Sequence, residues 1–436
     1  MKLLPMFTKF VKDSAKAVKR ISRQEFKEVP DETLTELLDI PTMVVTMYAM
    51  RHEGEYDVLH IWCAHRKEVA LCTHCGALST KVHQEEHRCI RHLDLWGKKT
   101  FLHFSSRRFR CEHCGRTFVE ELPFVDSHRR QSIAFEMHVY HACLAGTCKS
   151  VSVREGLSQS TVKDIFNRIA VLRKTATVTG KTKVLGIDEL FLKKRHKRFV
   201  LVISNISRKC ILAVLPDREK KTLENWIEAL SPQERKAIRF VSIDMWAPYY
   251  QAARSKLPHA KVVVDRFHVM KQLNSRLTQL RTKYQGESTD DIKTALKGSR
   301  WILVRNRTEL SSEQEAQLNN ILKLCPELRT LYLLKEEFRT IFEKVNCREK
   351  AARFLDVWIL KAESTGNKYL QMFTKTLRNW RDQILNYFIN RITNGFVEGI
   401  NNALRTTIRI AYGYRNFDNF RLRVLAEFGN LHANPR

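Results

Sequence analysis

Three apolar runs in this sequence deliver an aspartate: "KVLGIDELFLK" (183–193), "FVSIDMWAPYY" (240–250) and "KVVVDRFHVMK" (261–271). Each reads as a short buried strand with a carboxylate at its end, namely Asp188, Asp244 and Asp265. A sheet aims such groups more rigidly than a loop does. Two or three of them can hold a hard cation such as Mg²⁺ (or Mn²⁺), which prefers oxygen ligands and keeps several waters beside a substrate phosphate. Two cations per site would activate an attacking water or hydroxyl and stabilise the leaving oxygen of an in-line displacement. A fourth acid, Glu398, lies in "TNGFVEGINNALR" (393–405), with the amides of Asn394, Asn401 and Asn402 nearby on a helix. The plainer reading is that a strand-end aspartate is a turn or cap residue, and that Glu189 beside Asp188 is a solvated charge.

The cysteines carry a second chemistry. Cys72 and Cys75 in "CTHCG", with Cys111 and Cys114 in "CEHCG", form two knuckles, each followed by glycine. Thiolates two residues apart on a tight turn can both reach one Zn²⁺, and glycine lets the backbone curl around it. Two knuckles joined by strand-like sequence ("RHLDLWGKKTFLHFSSRRFR") describe a zinc ribbon with one structural Zn²⁺. Cys63, Cys89, Cys143, Cys148, Cys210, Cys325 and Cys347 have no such spacing and read as packing residues. Eleven cysteines without a secretory pattern argue for reduced thiols in the cytoplasm.

"KSVSVREGLSQSTVKDIFNRI" (149–169) has the cadence of a helix-turn-helix. The first helix ends at Gly156, Leu157 packs under the turn, and Ser158 or Ser160 caps a second helix. Val162, Ile165 and Ile169 then face inward, and Gln159, Lys163 and Asn167 are the side chains offered to a DNA groove. An ordinary helical hairpin would show the same pattern.

The elements around these residues set the architecture. At 436 residues the chain exceeds one small core, so several domains are expected. Lys and Arg number 76 against 47 Asp and Glu, leaving a formal charge of +29. Solubility does not require that excess. A polyanion does explain it, although a ribosomal or membrane surface would also fit. No run approaches the roughly 20 apolar residues of a membrane span. Residues 1–30 read as a basic amphipathic leader, with Phe7, Phe10, Val11 and Val18 set among lysines. Residues 31–70 suggest a short helix and two strands, and 130–175 turn helical. Over 183–270 the pattern runs three strands, a helix, a strand, a helix and a strand, an α/β sheet that begins as an antiparallel meander. From 271 to about 390 the sequence reads as helical and charged.

In order, zinc ribbon, helix-turn-helix, "GIDE", "SIDMW", "VDRFH", "NGFVEGINN" and "AYGYRNFDNFRLR" resemble the insertion-sequence L-three family of DDE transposases, over residues 31–427. The leader (1–30) falls outside the resemblance, which implies a multidomain α/β protein with a zinc-ribbon domain (31–125) and a helix-turn-helix domain (126–178). An RNase H-like mixed-sheet core (179–272) follows, interrupted by an all-helical insertion (273–385) and completed by residues 386–436. It also implies that Asp188, Asp244 and Glu398 bind two metal ions and cut and join DNA. Asp265 and His268 of "DRFH" are supporting residues, with Asp265 competing with Asp244 for the second place. The implied partners are double-stranded DNA, as element ends and target, and a second copy of the chain in the synaptic complex. A proline common after the first cysteine is missing from "CTHCG", and "ALRTTIRIAYGY" lacks one usual basic residue. Two other functions fit part of the pattern: a DNA-binding regulator with an inactive core, and a structure-specific nuclease that cuts without joining.

Overall fold

The computed structural model describes residues 27–28, 32–53, 56–175, 181–193, 198–393 and 395–429. The leader up to residue 26 and the amide of Asn394 lie outside the described residues. Contact density divides the chain after Ile169 into two compact units.

In the first unit, strands β1 (Lys27–Glu28), β2 (Met43–Glu53), β3 (Tyr56–His65), β4 (Ala70–Leu71), β5 (Leu78–Ser79), β6 (Val82–Leu95), β7 (Lys98–Arg110) and β8 (Thr117–Val119) follow in sequence. The larger sheet has the order β1-β2-β3-β7-β6, with β8 also paired to β7, and β4 pairs with β5 separately. The β6–β7 hairpin turns on Trp96 and Gly97, at φ 49° and 74°, the two-residue turn whose twist matches antiparallel strands. Alternation along β7 sends Leu102 and Phe104 into a core with Leu59, Ile61 and Ile90, closed by Leu38 of the helix Glu32–Leu38. A smaller core of Ala70, Phe109 and Phe118 surrounds Cys72 and Cys111.

Three helices complete this part: Ile133–Ala145, Cys148–Glu155 and Gln159–Thr175. Thr147 caps the second in a reciprocal capping box. Gly156 ends it at φ 68°, a left-handed position that glycine adopts without a Cβ penalty. Ser158, rather than Ser160, caps the third, its Oγ accepting from the Thr161 N–H at 3.1 Å. Val162, Ile165, Phe166 and Ile169 are buried at helical spacing. The first helix is fastened to β6 by a buried 2.8 Å hydrogen bond between His92 Nδ1 and Ser132 Oγ.

The second unit holds β9 (Val184–Lys193), β10 (Arg198–Asn205), β11 (Cys210–Leu215), β12 (Phe240–Ile243) and β13 (Lys261–Val264). They form one sheet in the order β11-β10-β9-β12-β13. The first three strands are an antiparallel meander, whereas β12 and β13 run parallel to β9. Crossovers through the helices Lys220–Glu228 and Ala247–Lys256 make the parallel direction possible. Leu185, Ile187, Val241, Ile243, Val263 and Val264 are fully buried, as strands packed on both faces require. Gly186 is needed where β9 passes β10, because a Cβ there would lie 2.5 Å from Ser204 Oγ.

One sequence expectation changes here. Asp188 does not end its strand: β9 continues to Lys193, and Asp188 still pairs with Val202 of β10. Leu190 and Leu192 keep the strand buried beyond the acid. Only the β12 partner stops at this level.

Between β13 and residue 391 the described elements are helices, the longest being Arg266–Glu287, Pro326–Lys344 and Arg348–Ser364. Phe338, Trp358 and Phe373 form their aromatic centre, and Trp358 Nε1 donates to the Leu334 carbonyl at 3.0 Å. Asn386 ties this block to the sheet by donating to the Val262 carbonyl at 2.8 Å. The helices Gly395–Ile410 and Phe417–Phe428 close the chain.

Candidate active site and metal centre

The two knuckles fold alike. The Gly76 N–H donates to the Cys72 carbonyl at 2.8 Å, and the Gly115 N–H to the Cys111 carbonyl at 2.9 Å. Both glycines have positive φ, 74° and 72°. The turns aim four thiols at one point. Cys72 and Cys114 Sγ lie 3.7 Å apart, Cys75 and Cys111 Sγ 3.6 Å apart, and all four lie within 4.8 Å of one another. Sulfurs at the corners of a tetrahedron with Zn–S bonds of about 2.3 Å would be separated by about 3.8 Å, so the set fits one four-coordinate zinc. Among the described residues this is the sole cluster of three or more such ligands that meets this spacing. Of the cysteines read as packing residues, Cys143, Cys210 and Cys325 are buried, but Cys89 is exposed. Its β6 neighbours His87 and Glu86 are exposed too, although the Cys89 Sγ lies 3.7 Å from Nε2 of the buried His103.

On the helix Gln159–Thr175, Gln159 and Lys163 are exposed and Asn167 is half-buried, all on one face by their four-residue spacing. Asp164, next to Lys163, is held by Arg129 at 2.8 Å.

In the second unit the aspartates meet at one level. Ser242 pairs with Gly186 and Ile243 with Val264, so each register carried forward sets Asp244 beside both Asp188 and Asp265. Asp244 is the middle member because β12 lies between β9 and β13. Asp188 and Asp244 are half-buried, while Asp265 is only 3% exposed and starts the helix Arg266–Glu287.

The charges show how tightly this edge is drawn. Burial, followed by the adjacent Glu189 charge, pushes the Asp188 carboxyl up to about 6, against the pull of the Glu189 N–H. Burial and then the charges of Glu189 and Asp188 push Asp244 up to about 7. Lys271 opposes both shifts, and Arg405 opposes that at Asp188. Asp244 Oδ1 is buried with no hydrogen-bond partner. A buried, unpartnered carboxylate oxygen amid like charges is the donor a hard cation seeks, so these residues fit divalent metal.

Glu189 is no solvated charge. Its Oε1 accepts from the Tyr249 hydroxyl at 2.8 Å and its Oε2 from Arg218 at 3.3 Å. Nothing in the sequence marks this, because Tyr249 lies on a helix that folds back only after β12 is laid beside β9. Asn401 was legible as a nearby amide, and its role is now specific: Nδ2 donates to Asp188 Oδ2 at 2.6 Å. Asn401 is 3% exposed, so this is a built contact between the helix Gly395–Ile410 and β9. Glu398, three residues earlier, shares that helical face and is exposed. His268 follows Asp265 by three residues, its imidazole held down to about 4 by burial and then by Lys271.

Known proteins are similar to this chain over most of its length. A DDE transposase family model of the ISL3 type matches residues 185–424, more than half of the chain. The chain belongs to the ISL3 transposase family. A zinc-finger model of the IS204/IS1001/IS1096/IS1165 transposases matches residues 68–114, and the helix-turn-helix model of the ISL3 transposases matches 120–170. The transposase for insertion sequence element IS1001 of Bordetella parapertussis is 28% identical, over 85% of this chain and 91% of its own length. The transposase for insertion sequence element IS1557 of Mycobacterium tuberculosis is 26% identical, over 80% and 84%. Zinc ribbon, helix-turn-helix and transposase domain thus follow in the expected order in a mixed α/β chain. No helix among the described residues is long and apolar enough to cross a membrane.

Two measurements test this geometry in the transposase. Protein purified without chelator should carry one zinc per chain. Cys111→Ser should lose it and melt several degrees lower, since a structural zinc contributes folding free energy directly. Zinc-free wild-type protein with unchanged stability would contradict the assignment.

The acid pair makes an opposite kind of prediction. Both carboxyls hold protons more tightly folded than at their ordinary value of 3.8. Without metal, the folded state therefore loses stability as pH rises from about 4 through 6 and 7. Asp244→Asn should raise the thermal midpoint of metal-free protein by a few degrees at pH 7.5 and by much less near pH 4. A variant less stable than wild type at every pH would overturn the electrostatic account.

Proposed function

We propose that the protein is a metal-dependent DNA strand-cleaving and strand-joining transposase, with Asp188, Asp244 and Glu398 as its catalytic acids. The observation that carries this reading is the row of carboxylates at one level of the parallel strands, with the Glu398 helix tied to it through Asn401 and Asp188. The strand order, an antiparallel meander continued by two parallel strands, supports an RNase H-like core. The helices between β13 and Gly395 would then be its insertion.

The same order favours Asp244 over Asp265 as partner of Asp188. Neighbouring strands lie about 4.8 Å apart, and a second-neighbour strand about twice that. Paired metals sit about 3.5–4 Å apart, which suits acids on adjacent strands. Asp265, the cap residue of the helix Arg266–Glu287, and His268 one turn later then support the site.

Divalent cations, Mg²⁺ or Mn²⁺, would lower the pKa of the attacking group and neutralise charge on the leaving oxygen. The chain itself orients and balances. Asn401 fixes one oxygen of Asp188, and Tyr249 and Arg218 each hold one oxygen of Glu189, which orients that acid beside the pair. Lys271 and Arg405 offer positive charge to the DNA backbone at the same edge. Hydrolysis at an element end adds water to phosphorus and breaks the P–O3′ bond, leaving a 3′-hydroxyl. In the joining step that hydroxyl loses its proton and attacks a target phosphate, displacing the target's own 3′-oxygen.

Recognition of the ends falls to the zinc ribbon and to Gln159, Lys163 and Asn167. The charge of +29 supplies affinity for both DNA partners, and two copies of the chain would hold two ends together. A regulator without catalysis would have no use for a half-buried cluster of repelling acids. A nuclease would cut without joining.

Asp188→Asn, Asp244→Asn and Glu398→Gln should each lower Mg²⁺-dependent cleavage of element-end DNA, on the order of a thousandfold, with end binding nearly unchanged. Asp265→Asn should retain measurable cutting. Four variants that cut like wild type would remove the catalytic assignment, and a dead Asp265→Asn beside an active Asp244→Asn would exchange the two residues.

A further inference from the structure

Next to the acid row the surface carries rings that the carboxylate chemistry leaves without a role. Trp246, two residues after Asp244, is 41% exposed, and Phe191, three residues after Asp188, is 47% exposed. Arg218 draws this group together. Its guanidinium carbon lies 4.1 Å from the centroid of Phe199 and 5.4 Å from that of Trp246, while Nη1 donates to Glu189 Oε2 at 3.3 Å. The Phe191 and Phe199 centroids are 3.9 Å apart. Glu189 in turn acts electrostatically on both Asp188 and Asp244, so a single residue links the rings to the acids.

Trp246 is a poor choice for folding alone. It occupies the cap position of the helix Ala247–Lys256, where its side chain makes no cap hydrogen bond. Serine, threonine or aspartate would stabilise that end better. Single exposed apolar residues are ordinary, but an exposed indole grouped with two phenylalanines and a guanidinium at a catalytic edge is a patch of specific chemistry.

We propose that Trp246, with Arg218, Phe199 and Phe191, forms a platform that receives one unpaired nucleobase beside the phosphate being cut. This rests on the reading of Asp188 and Asp244 as the catalytic pair. A planar π-face with a cation beside it stacks on any base, whatever its sequence. In a duplex the faces of the bases are covered by their neighbours, so only a base taken out of the stack can use the platform. Lys271 and Arg405 at the same edge favour the polyanionic backbone that such a base hangs from. Taking the base out distorts the strand locally, which lets its phosphate approach acids recessed at the strand edge.

The test uses full-length protein, Mg²⁺ and two forms of element-end DNA. One is fully paired, and the other carries a mismatch at the base pair flanking the cleavage site. Trp246→Ala should cut paired ends roughly ten- to a hundredfold more slowly than wild type, the range that loss of one aromatic–base stack produces. The mismatched end, already unpaired, should recover most of that loss, and Trp246→Phe should cut paired ends nearly as wild type does. Arg218→Gln provides a second variant, with the same recovery expected, should Trp246→Ala fold poorly. Equal slowing on paired and mismatched ends would mean that Trp246 only supports the helix, and overturns the platform. So does wild-type cutting by both variants. Wild-type protein that cuts neither DNA would instead overturn the carboxylate reading, and the platform with it.

Discussion

Like charges forced to the same level of neighbouring parallel strands are the constraint around which the second unit is organised. Asp188 and Asp244 sit side by side because β12 pairs with β9 in a register fixed by buried valines, leucines and isoleucines. Neither side chain can retreat without moving a strand that is packed on both faces. The hydrophobic core and the lattice of strand hydrogen bonds keep the pair in place, and burial first, then the charge of Glu189 at both carboxyls and of Asp188 at Asp244, holds them at about 6 and about 7. A site that destabilises its own protein in this way is expected where the missing positive charge arrives with metal and substrate.

The surrounding contacts read as answers to that constraint. Asn401 gives Asp188 a neutral donor, which orients the carboxylate without cancelling the charge a cation needs. Tyr249 and Arg218 each hold one oxygen of Glu189, which orients a third acid close to the pair. Lys271 and Arg405 reduce the local field. The zinc knuckles solve a different problem: four thiols close on one point and stiffen a small core whose other buried members are Ala70, Phe109 and Phe118.

How much of this was legible in the sequence depends on the range of the interactions. The knuckles could be read because both ligands of each pair and the glycine after them lie within five residues. The strands carrying Asp188 and Asp244 could be read because continuous apolar runs mark buried parallel strands. The helix-turn-helix could be read because Gly156 and the spacing of Val162, Ile165 and Ile169 are local signals. What depended on tertiary contact was misread or missed. Glu189 looked solvated because its partners Tyr249 and Arg218 come from other elements. Asp188 looked terminal because the end of β12, not of β9, exposes it. Cys89 looked like a packing residue, and which strand lies beside β9 is a property of sheet order that no local pattern encodes.

The central claim is that Asp188 and Asp244, rather than Asp265, face the reacting phosphate through shared metal. Crystals of the full chain soaked in Mn²⁺ would test it most directly, because manganese is located by its anomalous scattering without reference to activity. The account predicts a peak coordinated by oxygens of both Asp188 and Asp244. Manganese bound instead by Asp265 with Asp188 left free, or no ordered peak at this strand edge in the presence of DNA, would contradict it.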